Sequence, residues 1–372
     1  MHRRLSSSAS LIAVIAASAV LALSACSALP ATPGSVFVSE PTLSSDPRVP
    51  LAELNFLDDP TSWQGESTAI LADASITGER PAQSLPATVT SRDLAGDVTV
   101  TVTSTERILA MDISGSIAAT VFGLGFGDSV VGRDVSTTFS EAVDLPVVTS
   151  SGHTVNSEAI LALRPTVVIT DGTIGPIDVV LQLRDAGIPI VFVDTEPSID
   201  GVGELARQVA QALGAPAAGD AFGVKLVAGI EAKVAEIGGL VASKKPLRMV
   251  FLYLRGSSGI YYLFGESSGA DVLVMALGGV DVAAEIGLED MRPMTDEAMV
   301  AANPDLILVM TGGLESVGGV DGLLQDKPAI ALTAAGQNRR FVDMADGEVL
   351  SFGPRTADVL DALARAIYAP GQ

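Results

Sequence analysis

The chain has 372 residues, 22 basic and 44 acidic side chains, a formal net charge of −22, 48% hydrophobic residues and a single cysteine. Such acidity argues against nucleic-acid binding and against docking to anionic lipid through a basic face, since both rest on Lys and Arg. The hydrophobic content excludes a disordered tail, and the length suits two lobes because single cores stop growing near ~250–300 residues.

Taken in order, Arg3 and Arg4 precede the apolar stretch Leu11–Leu23. This is a targeting pattern, too short to span a bilayer comfortably when ~20 residues are needed. It runs into Leu23-Ser24-Ala25-Cys26, which resembles the lipobox of bacterial lipoproteins. The resemblance implies that residues 1–25 are removed. Cys26 would then be lipidated, anchoring the exported protein to the outer face of the cytoplasmic membrane. A lone thiol cannot form an internal disulfide. Residues 26–96 read as a linker and N-terminal extension. Ala28–Pro50 is rich in Pro, Ser and Thr, and Leu51–Pro86, with Trp63, is expected to pack as an appendage.

From Asp97 short strands alternate with amphipathic helices. The pattern predicts a period-two strand at Asp97–Ser104, a buried strand at Ile108–Met111, and a helix at Ser116–Leu124. A strand at Val130–Val131 and a helix at Ser157–Leu163 follow. Then come a strand at Thr166–Thr170, a helix at Asp178–Ala186 and a strand at Ile188–Val193. Alternation of this kind predicts a parallel sheet covered by helices. Gly123, Gly125 and Gly127 follow a helix, whereas a dinucleotide loop follows a strand, so they are expected to stop the helix and form a tight turn.

Asn156–Ile169 aligns without a gap on Thr295–Leu308, and each copy is a capped helix, a proline and a buried strand. Upstream, Ser114-Gly115 with Leu124-Gly125 is echoed by Ser268-Gly269 with Leu277-Gly278. An internal repeat predicts two lobes of like topology. The expected division is an N-terminal lobe over 97–215, a connecting helix over 216–239 and a C-terminal lobe over 245–372. In the connector Phe222, Leu226, Val227, Ile230, Val234 and Ile237 recur at helical spacing, bounded by Pro216 and Gly238-Gly239. Such a connector is stiffer than a loop, so closure about it should be small.

The stretch that carries chemistry is Arg248–Gly265. Met249–Leu254 is a β-branched and aromatic strand ending in the turn cluster Arg255-Gly256-Ser257-Ser258-Gly259. Tyr253 therefore sits at the carboxyl end of a strand, where open α/β sheets bind ligands, with Arg255 two residues on and on the same side. A cation beside a phenol favours phenolate, a hard oxygen donor suited to ferric iron.

Lipobox, two α/β lobes, one long connecting helix and a cleft together resemble the solute-binding lipoproteins of ABC importers for iron chelates, haem and cobalamin. This cobalamin and iron-siderophore type is the class III binding proteins. Tyr253-Leu254-Arg255-Gly256, Gly152-His153-Thr154 and the text around Val130–Val148 are similar to the haemin-binding branch of that family. The fold implied is two Rossmann-like lobes with parallel sheets, joined by one long helix, with the ligand between them. Haem b would be held as cargo by Tyr253 from one lobe and His153 from the other, with Arg255 bonded to the tyrosine oxygen. Met291, Met294, Tyr261 and Tyr262 could contact the porphyrin face. Permease and ATPase subunits are the implied partners. Glu297 is the expected docking residue in the second lobe, with Asp178 or Glu158 in the first. A ferric siderophore on the same scaffold is the alternative, read by Arg133, Arg255 and Arg292. Direct Zn²⁺ or Mn²⁺ capture is weaker, because His153 is the only histidine after the signal. An enzyme is weaker still, for want of a nucleophile elbow, P-loop or HExxH motif.

Overall fold

The structure, a computed structural model, describes residues 48–372 apart from Leu94, Ser151 and Gly152. The expected lipidation of Cys26 therefore lies outside the described residues. The first strand, β1 (Ser67–Ala69), is followed by the hairpin β2 (Ala87–Ser91) and β3 (Val98–Val102). Next come β4 (Ile108–Met111), α1 (Ser116–Gly123), β5 (Val130–Gly132), β6 (Thr149–Ser150), β7 (Thr154–Val155) and α2 (Ser157–Leu163). The N-terminal lobe closes with β8 (Val167–Thr170), α3 (Ile177–Asp185), β9 (Ile190–Phe192) and α4 (Ile199–Ala212). Its sheet is parallel in the order β5-β4-β8-β9. Every residue of β4 and β8 is buried, as parallel strands covered on both faces require.

The connector α5 (Pro216–Val241) has 26 residues, about 39 Å at ~1.5 Å each. It runs past Gly238-Gly239, expected to end it. Both glycines are exposed with nothing within 4 Å of a Cβ, and each costs only about 1 kcal/mol in a helix.

The C-terminal lobe opens with β10 (Arg248–Arg255), β11 (Ile260–Leu263), α6 (Ala270–Ala276), β12 (Val280–Asp281), α7 (Val282–Glu285) and β13 (Arg292–Pro293). It continues with α8 (Asp296–Ala302), β14 (Leu306–Met310) and four short helices: α9 (Thr311–Glu315), α10 (Gly319–Asp326), α11 (Pro328–Ala331) and α12 (Ala334–Gln337). Strand β15 (Phe341–Met344) and helix α13 (Thr356–Tyr368) end it. Its sheet runs β1-β15-β14-β10-β11-β13, with β12 beside the first residues of β10. Unlike the first sheet it is mixed: β11 and β13 are antiparallel, because the Arg255–Gly259 turn folds the chain straight back.

The repeat is carried in the backbone. Asn156 and Thr295 each accept the N–H three residues on, from Ala159 and Ala298. Arg164 and Asn303 end the two helices in the left-handed region, at φ 47° and 40°, before Pro165 and Pro304. Gly115 and Gly269 both enter the preceding helices at positive φ, 71° and 78°.

Leu51–Pro86 is no appendage. Leu51 lies 1% exposed in the core of the C-terminal lobe, and β1 is a parallel edge strand of its sheet. From there the chain crosses to the other lobe. The Ile76 N–H donates to Glu141 at 2.9 Å, Arg80 to Ser129 at 2.9 Å, and the Ser84 N–H to the Gly214 carbonyl at 2.8 Å. Residues 70–86 are thus a second connection between the lobes beside α5. The crossing also explains Gly125, where a Cβ would lie 2.3 Å from the Glu79 backbone. The sequence could not announce this, because an edge strand of three residues leaves no periodic signal.

Candidate functional site

Alternation along β10 sends Met249, Phe251, Tyr253 and Arg255 to one face of the sheet, and Val250, Leu252 and Leu254 to the other. Tyr253 is half-buried and fixed by aromatic packing. Its ring stacks on Phe264 at 5.3 Å and 16°, and Phe264 stacks on Phe251 at 5.2 Å. The phenol is thereby held at the carboxyl end of the strand by groups that offer it no competing charge.

The Arg255 guanidinium lies over the Tyr253 ring, 4.6 Å from its centroid. Two of its donors point elsewhere: Nη1 donates to the Leu254 carbonyl at 2.8 Å and Nη2 pairs with Asp346 Oδ1 at 3.0 Å. Among the described hydrogen bonds none joins Arg255 to the Tyr253 hydroxyl, so the cation acts on the ring face.

His153 comes from the N-terminal lobe, in the turn between β6 and β7. It has φ 61°, a left-handed conformation that a non-glycine residue adopts only at some cost. Its imidazole is half-buried and held below the ordinary histidine range, first by burial and then by the Arg255 cation, with Asp346 opposing. Burial and the Arg255 cation both favour the neutral ring, the form whose lone pair can bind metal. Residues of the two lobes thus come within electrostatic reach at this point. Ser136 Oγ stands 3.4 Å from His153 Nδ1.

A buried pair of carboxylates supports that side. Asp112 accepts the N–H groups of Ser116 and Ile117 at 2.9 and 3.0 Å, capping α1. Asp134 accepts the N–H groups of Ser136 and Thr137, both at 2.8 Å, and the Asp112 N–H at 3.1 Å. Burial, then the charge of Asp112, pushes the Asp134 carboxyl up to about 7. Asp112 is raised by burial and by Asp171. The pair fixes the Ser136 turn against which His153 sits.

The other nominated residues divide. Tyr262 lies directly opposite Tyr253 across β11 and shares its face. Tyr261 faces the other way, under the Lys327 ammonium at 4.0 Å, and Met294 packs into the core on that side. Period-two alternation separates them, so neither is brought to Tyr253. Met291 and Arg292 are exposed. Arg133 donates to the carbonyls of Val143, Asp134 and Thr137, which commits its guanidinium to the loop. Glu158, Asp178 and Glu297 are exposed first-turn residues of α2, α3 and α8. Sequence reasoning missed Asp346, which pairs with Arg255, and the stacking of Phe264 on Tyr253. The Asp346-Gly347 dipeptide is a turn signal that could have drawn notice.

Among the described residues no three His, Cys, Asp or Glu side chains gather as a metal-ion site. A separate groove of about 480 Å³ between α4 and α5 is lined by Glu196, Asp200, Glu204 and Glu231 with Arg207 alone in opposition. Its charge repels anions.

Known proteins share this fold. The crystal structure of heme binding protein HmuT superposes with a TM-score of 0.77 at 39% identity, covering 83% of this chain and 99% of that one. Structures of HmuT variants replace a tyrosine, a histidine and an arginine by alanine, the tyrosine and arginine standing two positions apart as Tyr253 and Arg255 do. The periplasmic heme-binding protein RhuT from Roseiflexus sp. RS-1 matches with a TM-score of 0.63 at 38% identity, over 72% of this chain and all of that one. An uncharacterized ABC transporter substrate-binding lipoprotein, YvrC of Bacillus subtilis (strain 168), is 26% identical over 66% of this chain and 76% of its own. The family model described as periplasmic binding protein matches residues 113–346, so two repeated lobes, a helical connector and a ligand end between them are those of a transport binding protein rather than an enzyme: the chain belongs to the periplasmic binding protein family.

Proposed function

We propose that the protein captures haem as cargo between its lobes and hands it to an ABC importer. Tyr253 would be the oxygen ligand to ferric iron, and His153 the nitrogen ligand from the opposite side. The observation that carries this reading is one guanidinium, Arg255, that lies over a half-buried phenol and also acts electrostatically on the imidazole of the other lobe. Two donors from opposing surfaces suit a flat group whose own ring fills the remaining coordination positions. The relatives HmuT and RhuT, both heme-binding by name, support it. Tyr262 lies on the same face and would meet the porphyrin.

The siderophore alternative asks for several free arginines against an anionic chelate, and Arg133 is already spent on three carbonyls. Delivery would use Glu297 in one lobe and Glu158 or Asp178 in the other, facing cationic residues of the permease, with the ATPase driving transport. Lipidation at Cys26 would hold the protein at the outer face of the membrane. Titrating the mature chain with haemin tests the reading. A Soret band that sharpens and saturates at a fixed ratio supports it. Unchanged free-haemin absorption, with a ferric siderophore bound instead, would transfer the site to the alternative.

A further inference from the structure

We propose that Asp346 is a positioning residue of the Tyr253 site. It holds the Arg255 guanidinium against the phenol ring and, through its neighbour Gly347, couples that arrangement to the lobe that carries His153. The inference rests on the haem reading above and adds to it a residue that neither the sequence pattern nor the comparisons single out.

Asp346 is itself held in place. Its Oδ2 accepts the Gly312 N–H at 2.7 Å. That N–H belongs to the first turn of α9, where backbone donors have no partner within the helix. With one oxygen fixed to backbone, Oδ1 points at Arg255 Nη2, 3.0 Å away. The approach is close all round: a Cβ at Gly313 would lie 3.2 Å from Arg255 Nη1 and 2.9 Å from the Leu254 carbonyl oxygen. Among the described residues Arg255 otherwise has only that carbonyl as a hydrogen-bond partner, and its side chain is 30% exposed. Without Asp346 the guanidinium could swing away from the Tyr253 ring into solvent.

The next residue touches the other lobe. A Cβ at Gly347 would sit 2.5 Å from the Ser136 carbonyl oxygen, so the two backbones meet directly. Ser136 is also the residue whose hydroxyl stands beside His153. One loop therefore contacts the cation over Tyr253 and the turn that supports His153. Because the Asp346–Arg255 pair is partly exposed, its contribution to global stability is small, and orientation is what it supplies.

The test uses the mature chain loaded with haemin, in wild type, Asp346→Asn, Arg255→Ala and the double variant. Haem release to excess apomyoglobin and the visible charge-transfer bands are recorded, along with apo-protein melting. Asparagine cannot accept from both Gly312 and Arg255. Release from Asp346→Asn should quicken about ten-fold, the scale of one charge-assisted hydrogen bond. Its bands should move in the same direction as those of Arg255→Ala, and the double variant should match Arg255→Ala alone. Asp346→Glu, which keeps the carboxylate, should recover most of the wild-type spectrum. An Asp346→Asn spectrum and release rate equal to wild type would overturn the role, as would losses that add in the double variant or follow melting temperature alone. A wild-type chain that leaves free-haemin absorption unchanged would instead overturn the haem reading itself.

Discussion

Gly347→Ala adds one methyl group at the point where the lobes meet. The added Cβ would lie 2.5 Å from the Ser136 carbonyl oxygen and 3.1 Å from Thr138 Oγ1. An ordinary contact begins near 3.4 Å, so the loops must part by about 0.9 Å. The closest atom is backbone and cannot rotate away. Overpacking of this kind costs about 1–3 kcal/mol. The strain is relieved when the lobes separate, so it falls on the arrangement in which they touch, the one that brings His153 towards Tyr253 in the reading above. Affinity should drop by about 5-fold to 150-fold, at ten-fold for each ~1.4 kcal/mol. Haemin titration by absorption gives the affinity, and small-angle scattering reports whether the apo-protein expands. Neither lobe's core is touched, so melting should change little. Wild-type affinity with unchanged scattering would refute the reasoning, because it would mean that the contact does not govern closure.

Two glycines in α5 should respond oppositely to alanine. Gly229→Ala, exposed with nothing near its Cβ, should stabilise by about 1 kcal/mol, whereas Gly223→Ala meets the Gly203 carbonyl at 2.7 Å and should destabilise by about 1–3 kcal/mol in urea unfolding. The raised Asp134 carboxyl makes the folded state bind more protons than the unfolded chain between about pH 4 and about 7, so apo-protein stability should fall as pH rises through that window. In Asp134→Asn the fall should be shallower, and an unaltered slope of melting temperature against pH would assign the effect elsewhere. Glu297→Arg reverses an exposed first-turn charge and should impair uptake in cells while leaving haem affinity as it was. If affinity falls instead, Glu297 serves the fold or the ligand.

The parts of the fold that could be read in advance are those with local periodicity or chemistry. The twin units α2–β8 and α8–β14 were legible because caps, left-handed helix ends and prolines are written in short-range residues. Tyr253 with Arg255 was legible because period two fixes which side chains share a face. The same rule, applied to β11, would have set Tyr261 apart from Tyr262, since only Tyr262 lies opposite Tyr253. What stayed hidden depends on contacts distant in sequence. The pairing of β1 with β15 joins residues 67–69 to 342–344, and the bridge from Asp346 to Arg255 spans about ninety positions. No local pattern predicts either. The placement of Arg255 over the ring, instead of on the hydroxyl, likewise follows from the Asp346 and Leu254 partners that claim its donors.

In the proposed function Tyr253 and His153, from opposite lobes, hold one haem, and the phenol contributes more. The most direct measurement is the absorption spectrum and haemin affinity of wild type, Tyr253→Phe and His153→Ala. Ferric iron in a porphyrin carries net positive charge and prefers an anionic oxygen to a neutral nitrogen. Tyr253→Phe keeps the stacked ring on Phe264 and removes only the donor, so binding should weaken severely. His153→Ala should keep a tyrosine-bound haem, with a shifted spectrum and a smaller loss of affinity. Equal affinities and identical spectra in all three proteins would contradict the account, because haem would then be bound away from both residues.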